Sequence, residues 1–156
     1  MTEEFKTKEL TCELVPHKGK MFLLNRVQNY SLESVSITTE IDITRDDLFY
    51  EEELGGVPAW VAFEYMAQSI SALSGIYGRS RGEKPKVGFI MSVNSFKASI
   101  PVFKVGETVV VTVRQMIRMD MAVTFDGTAK VGDTLAVSAT LNTVEVADPK
   151  ASLGLN

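Results

Sequence analysis

The sequence is short of the residues from which most polar sites are assembled. Cys12 is the one cysteine in 156 residues, so no disulfide can close within the chain. His17 is the one histidine, and one Cys with one His disfavours a zinc site. A Ser-His-Asp or Cys-His arrangement would have to be built on that single ring. Positive charge is not in excess: 16 Lys and Arg stand against 20 Asp and Glu, a formal charge of −4, and nucleic acid is not an expected partner. No apolar run reaches the ~18 residues that a membrane-spanning helix requires. The first ten residues, MTEEFKTKEL, hold no apolar stretch of the signal-peptide kind; the expected location is the cytoplasm. Linkers, repeats and low-complexity tracts are missing. A composition of 45% hydrophobic and 23% charged residues over residues 1–156 suits one domain with a full core.

What is present is a set of strands around one long apolar helix. The first ten residues are charged and expected to be loose, and the stretch from Asp148 through Pro149 to Asn156 reads as a tail. Met21 to Gln28 reads as a half-buried strand. Ser34 to Ile43 alternates, with Val35, Ile37, Thr39, Ile41 and Ile43 on one face. Pro58 to about Gly78 is the helix, with Pro58 in its first turn and Gly75 and Gly78 at its fraying end. Its apolar side chains surround the axis, which predicts burial on most sides. Val87 to Ala98, Glu107 to Arg118, Ala122 to Lys130 and Thr134 to Val146 read as strands, separated by turns at Pro101, Gly106, Met119–Asp120 and Gly132–Asp133. The order predicts an α+β fold, an antiparallel sheet curled round one helix, with a free edge suited to a dimer.

Few residues can carry chemistry. Trp60, Glu64 and Gln68 follow an i, i+4, i+8 spacing and share one helix face. Glu64 is then a carboxyl among apolar neighbours: desolvation raises its pKa, and the nearby helix N-terminus lowers it. If desolvation wins, Glu64 suits proton donation near neutral pH. The alternative is a carboxylate that bonds a loop or reaches solvent. The amides of Ala59 and Trp60 lie in the first helical turn, where donors lack intrahelical acceptors and can hold a carbonyl or oxyanion. His17, in LVPHKGKMFLL, is expected to be a turn histidine satisfied by local hydrogen bonds; a base is the other option. Gly55–Gly56 is too short to cradle a phosphate, and DLFYEEEL, with Asp46, Asp47, Glu51, Glu52 and Glu53, reads as a solvated acidic loop. Arg79, Arg81, Lys84 and Lys86 form a small basic cluster, read as a solvated turn.

Three stretches together resemble the 3-hydroxyacyl-acyl-carrier-protein dehydratases, which have the hotdog fold. They are LVPHKGKMFLLNRV, VPAWVAFEYMAQS and KVGFIMSVNSFKASIPVFKVGETVVVTV, in the family's order, and the similarity covers about residues 14–146. In LVPHKGKMFLL the chain also resembles the dehydratase-like subunit of aryl polyene biosynthesis, where two different hotdog subunits are thought to pair. The resemblance implies a cytoplasmic hydro-lyase acting on a thioester carried on the phosphopantetheine of an acyl carrier protein. It implies no metal and no other cofactor. Glu64 matches the family's acid, Gln68 the glutamine one turn on, and Ala59 and Trp60 the amides that hold the thioester carbonyl. The family's loop histidine, its base, aligns with Tyr50, followed by Glu51, Glu52 and Glu53; a neutral phenol is a poor base near pH 7. The resemblance therefore implies a dimer, either a homodimer or a pair with a histidine-bearing hotdog subunit that completes the site around Glu64. A non-catalytic acyl-binding or structural subunit, a hotdog thioesterase, and a homodimer using His17 as base stay open. Phe89 and Met91 are candidates to line an acyl tunnel.

Overall fold

Alternating β-branched and polar residues in the second half of the chain build most of one sheet. The computed structural model describes residues 4–83 and 87–146; Lys84, Lys86 and the tail from Asp148 lie outside the described residues. Six strands, β1 (Arg26–Ser31), β2 (Ser36–Asp42), β4 (Val87–Ala98), β6 (Thr108–Met119), β7 (Ala122–Val131) and β8 (Thr134–Val146), join in the order β1-β2-β6-β7-β8-β4. Every pairing is antiparallel. Two short strands, β3 (Gly56–Pro58) and β5 (Val102–Lys104), pair separately, with Gly56 so close to the Phe103 carbonyl that a Cβ would collide with it. The sheet curls round helix α2 (Ala62–Ser80), and the core lies between them. This is the expected α+β hotdog arrangement.

Along β2 and just beyond it the alternation works as its spacing predicts: Ile37, Thr39, Ile41 and Ile43 are buried, while Val35 is half-buried in the preceding turn. Thr39 meets Ser69 of α2 at 2.8 Å, and Ser69 in turn donates to the Tyr65 carbonyl, so the buried hydroxyls are paired. Burial of a large apolar side chain contributes about 1.5–3 kcal/mol; Met66, Leu73 and Ile76 supply such contacts from α2.

Several local expectations need correction. Residues 21–25 are not strand: Gly19–Met21 forms a 3₁₀ turn and β1 starts only at Arg26. Phe22, Leu23 and Leu24 are buried in succession, which a one-sided strand cannot achieve. Nor are the first ten residues loose throughout. Thr7 caps a short helix α1 (Lys8–Cys12) by accepting from the Leu10 amide at 3.2 Å, and Phe5 is buried. The Val27 amide donates to the Phe5 carbonyl at 2.9 Å, so this segment covers part of the β1 edge. Pro58 ends β3 rather than opening the helix, and a 3₁₀ turn at Ala59–Val61 leads into α2. Gly75 is not a fraying end. The helix runs on to Ser80, and the Leu14 backbone lies so close over Gly75 that a Cβ there would clash with its carbonyl oxygen.

Among the described residues nothing pairs with the outer edge of the long strand β4. Met91 is 69% exposed and Phe96 is also exposed, the kind of edge that invites pairing.

Candidate active site

One stripe of α2 is left partly open. Glu64, Ala67, Ile70, Ser71, Ser74 and Tyr77 recur at helical spacing and are half-buried, while the residues between them are buried. The helix is therefore not enclosed on every side, and the small side chains of Ala67, Ser71 and Ser74 leave room beside it. A cavity of about 450 Å³ opens there, walled by Pro16 and His17, by Glu64, Ala67 and Ser71, and by Phe89 and Ile90 of β4. A second, of about 410 Å³, continues towards Tyr77, Arg81, Gln115 and Arg118. Both are lined by Ile70, Ser74 and Glu145, so they adjoin along the helix.

Glu64 stands in the wall of the first cavity with its side chain 25% exposed. It is neither in bulk solvent nor fully removed from water. Gln68, one turn on and completely buried, holds it. The Gln68 amide nitrogen donates to Glu64 Oε1 at 3.1 Å and to the Met21 carbonyl at 2.8 Å, while its oxygen accepts from the Leu23 amide at 2.9 Å. The irregular segment before β1 thus uses its backbone to fix Gln68, and Gln68 fixes Glu64.

The same segment brings His17 to the site. His17 Nε2 lies 3.6 Å from Glu64 Oε1. Its Nδ1 is buried with no hydrogen-bond partner among the described residues. The expectation of a turn histidine satisfied by local hydrogen bonds is overturned. The signal in the sequence was the position of Pro-His just before the FLL run; what it lacked was the packing of Leu14 on Gly75 that folds this segment onto α2.

Other candidates do not join this group. The Ala59 amide has no intrahelical acceptor, as expected, but it donates to the Pro101 carbonyl at 2.9 Å and is not free to hold a substrate carbonyl. The 3₁₀ turn and the β3–β5 pairing bring Pro101 beside it. Trp60 is 52% exposed and packs on Phe49 and Phe63, and it does not line the cavity that Glu64 walls. Tyr50 is half-buried in the loop after β2, its amide donating to the Asp47 carbonyl at 3.0 Å, and it does not line the cavity. In that loop burial holds the Asp47 carboxyl above the usual carboxylate range, against bonds from Thr44 that lower it. Phe89 lines the cavity and Met91 does not. Among the described residues no three His, Cys, Asp or Glu side chains gather as a metal site would require, and no helix is long and apolar enough to cross a membrane.

Comparison with known proteins agrees with this architecture. One chain of the dehydratase heterocomplex ApeI:P from Xenorhabdus doucetiae superposes with a TM-score of 0.83 at 24% identity, over 92% of this chain and 95% of that one. A hypothetical thioesterase from Streptococcus pneumoniae, solved with coenzyme A, matches with a TM-score of 0.59 at 10% identity, over 78% and 85% of the two chains. Cj0977, a sigma28-regulated virulence protein of Campylobacter jejuni, gives 0.60 at 10% identity, over 90% and 91%. At these identities the structures establish the shared fold. Among curated proteins nothing matches. The match that reaches beyond fold is to a family model, over residues 10–154, which takes in the His17 segment, α2 and every strand, and by it this chain belongs to the ApeP-like family, the ApeP dehydratases.

Proposed function

We propose that this chain is the acid-bearing subunit of a 3-hydroxyacyl-thioester dehydratase, one hotdog domain that completes its site with a second, histidine-bearing hotdog subunit. The observation that carries the proposal is Glu64: its carboxyl is held through Oε1 by a buried glutamine in the wall of a cavity that continues along α2. From Glu64 to Tyr77 the stripe runs about 20 Å at ~1.5 Å per residue, room for an acyl chain. The substrate is a thioester on the phosphopantetheine of an acyl carrier protein, and the resemblance to aryl polyene biosynthesis gives the pathway class. The matched heterocomplex of Xenorhabdus doucetiae supports a two-subunit assembly, and the outer β4 edge offers the surface for it.

In the reaction a base removes the α-proton, and the electron pair of that C–H bond becomes the new double bond. The β-carbon to oxygen bond breaks, and Glu64 gives its proton to the departing hydroxyl, which leaves as water. Gln68 keeps the acid in place throughout. The trans-2-enoyl thioester remains on the carrier. Tyr50 stands where the family's base is expected, so the base comes from the partner. With the Ala59 amide engaged by Pro101, the thioester carbonyl must find at least one of its donors elsewhere.

Tyr50 and that engaged amide favour a second reading, in which this chain is a non-catalytic partner that shapes the acyl groove. Dehydration by the two-subunit mixture decides between them. Glu64→Gln is expected to lower the rate by about 10²–10⁴-fold, whereas replacing exposed Glu33 leaves it intact. Full activity with Glu64→Gln would establish the non-catalytic reading. Release of free thiol from acyl thioesters by the chain would instead point to thioesterase chemistry.

A further inference from the structure

His17 sits on a segment that is tied down at several points. The Lys18 ammonium curls back to donate to the Cys12 carbonyl at 2.9 Å and the Val15 carbonyl at 3.0 Å. The Cys12 thiol donates to the His17 carbonyl at 3.6 Å. Leu14 is buried against Gly75. These ties hold the imidazole beside α2, with Nε2 3.6 Å from Glu64 Oε1, the same oxygen that accepts from Gln68. Among the described residues Glu64 Oε2 has no hydrogen-bond partner.

The ring's own chemistry follows from its two nitrogens. A neutral imidazole carries one proton. On Nδ1 that proton would be a buried donor without an acceptor, and the Nε2 lone pair would face a carboxylate oxygen. On Nε2 it sits on the nitrogen 3.6 Å from Oε1, beyond hydrogen-bond length but within reach of electrostatic attraction, and the buried Nδ1 is left as the less costly unpaired acceptor. We propose that His17 is a positioning residue for Glu64: as the Nε2–H tautomer it joins Gln68 in holding Oε1, which assigns Oε2 as the oxygen that carries the proton to the leaving hydroxyl. This rests on the reading of Glu64 as the acid. The same geometry denies His17 the role of base. One nitrogen faces Glu64 and the other is buried, so neither presents a lone pair to a substrate α-proton.

Because His17 is the only histidine of the 156 residues, a long-range ¹H–¹⁵N spectrum of the untagged, labelled chain reads this one ring. The expected result is the Nε2–H tautomer, with the Nε2 resonance moving in Glu64→Gln. In the active two-subunit mixture, His17→Ala is expected to lower kcat by about 10–100-fold with KM within about twofold. His17→Gln, which returns an N–H near the Nε2 position, restores kcat to within about fivefold. An Nδ1–H tautomer, a ring blind to Glu64→Gln, or an unchanged kcat in His17→Ala would each overturn the proposal. So would a His17→Gln variant as inactive as His17→Ala, since an amide can replace a hydrogen-bond donor but not a proton carrier. Should His17→Ala fail to fold, the ring spectrum and His17→Gln decide. Failure of the parent reading looks different: Glu64→Gln would then turn over at the full rate whatever the ring shows.

Discussion

Helix propensity alone says that Gly75→Ala should stabilise α2 by about 1 kcal/mol, and the structure reverses that sign. A Cβ at Gly75 would lie within contact distance of the Leu14 carbonyl oxygen and 3.2 Å from its carbonyl carbon and Cα. The obstacle is backbone, so no side chain can swing aside. Relief requires the Leu14 segment to lift by roughly 1 Å, and overpacking of this kind costs about 1–3 kcal/mol. Leu14 is only 2% exposed and loses part of its burial as it lifts. Set against the propensity gain, the net loss is up to about 2 kcal/mol, which for a chain of this size lowers Tm by up to about 8 °C. Thermal unfolding followed by circular dichroism at matched protein concentration measures it. Because His17 rides on the same segment, its ring spectrum should move towards that of Glu64→Gln. A Tm raised by a few degrees, with the ring spectrum unchanged, would refute the packing of this segment on α2 and with it the placement of His17.

Three further outcomes test other parts of the molecule. Gln68→Ala leaves the buried Leu23 amide without its acceptor, and with the small cavity created it should cost about 2–4 kcal/mol in urea unfolding; an unchanged midpoint would show that Gln68 is not the post holding the segment before β1. The Arg26 guanidinium, bonded at 2.8 Å and 2.9 Å, holds the Asp42 carboxyl below the usual carboxylate range, opposed by burial and helped by Thr108. Its contribution is therefore complete above the ordinary aspartate value near pH 4 and fades as the pH falls through the lowered one. Asp42→Asn should flatten that part of the acid-unfolding curve, modestly because the pair is partly exposed; an unaltered acid limb would count against it. Finally, Met91→Glu with Phe96→Glu places two charges on the outer β4 edge and should shift sedimentation of the assembled protein towards single chains; an unaffected assembly would remove β4 from the interface.

How much of this was legible in the sequence differs from element to element. β4 and β8 begin and end where the sequence reading places them, at Val87–Ala98 and Thr134–Val146, because turn residues flank strands long enough to dominate local preference. β3 and β5 are three residues each, too short for any periodicity, and they exist because they pair with each other. The run Met21–Gln28 misleads because Phe22, Leu23 and Leu24 are buried one after another by different neighbours. In the site, Glu64 and Gln68 were legible as a pair, since i, i+4 spacing on a helix brings side chains together whatever surrounds them. Ala59 was legible only as the start of a helix; that its amide is taken by Pro101 depends on a ladder between distant segments.

By itself the sequence determined that one carboxyl and one amide share a face of a single long helix, and that only one imidazole exists in the chain to serve them. These are consequences of composition and of covalent helix geometry, which act over a few residues. Tertiary structure alone decided that the imidazole reaches the carboxyl, and which of its nitrogens does so. That contact joins residues far apart in the chain, and it forms because the absent side chain of Gly75 lets the backbone at Leu14 lie against the helix.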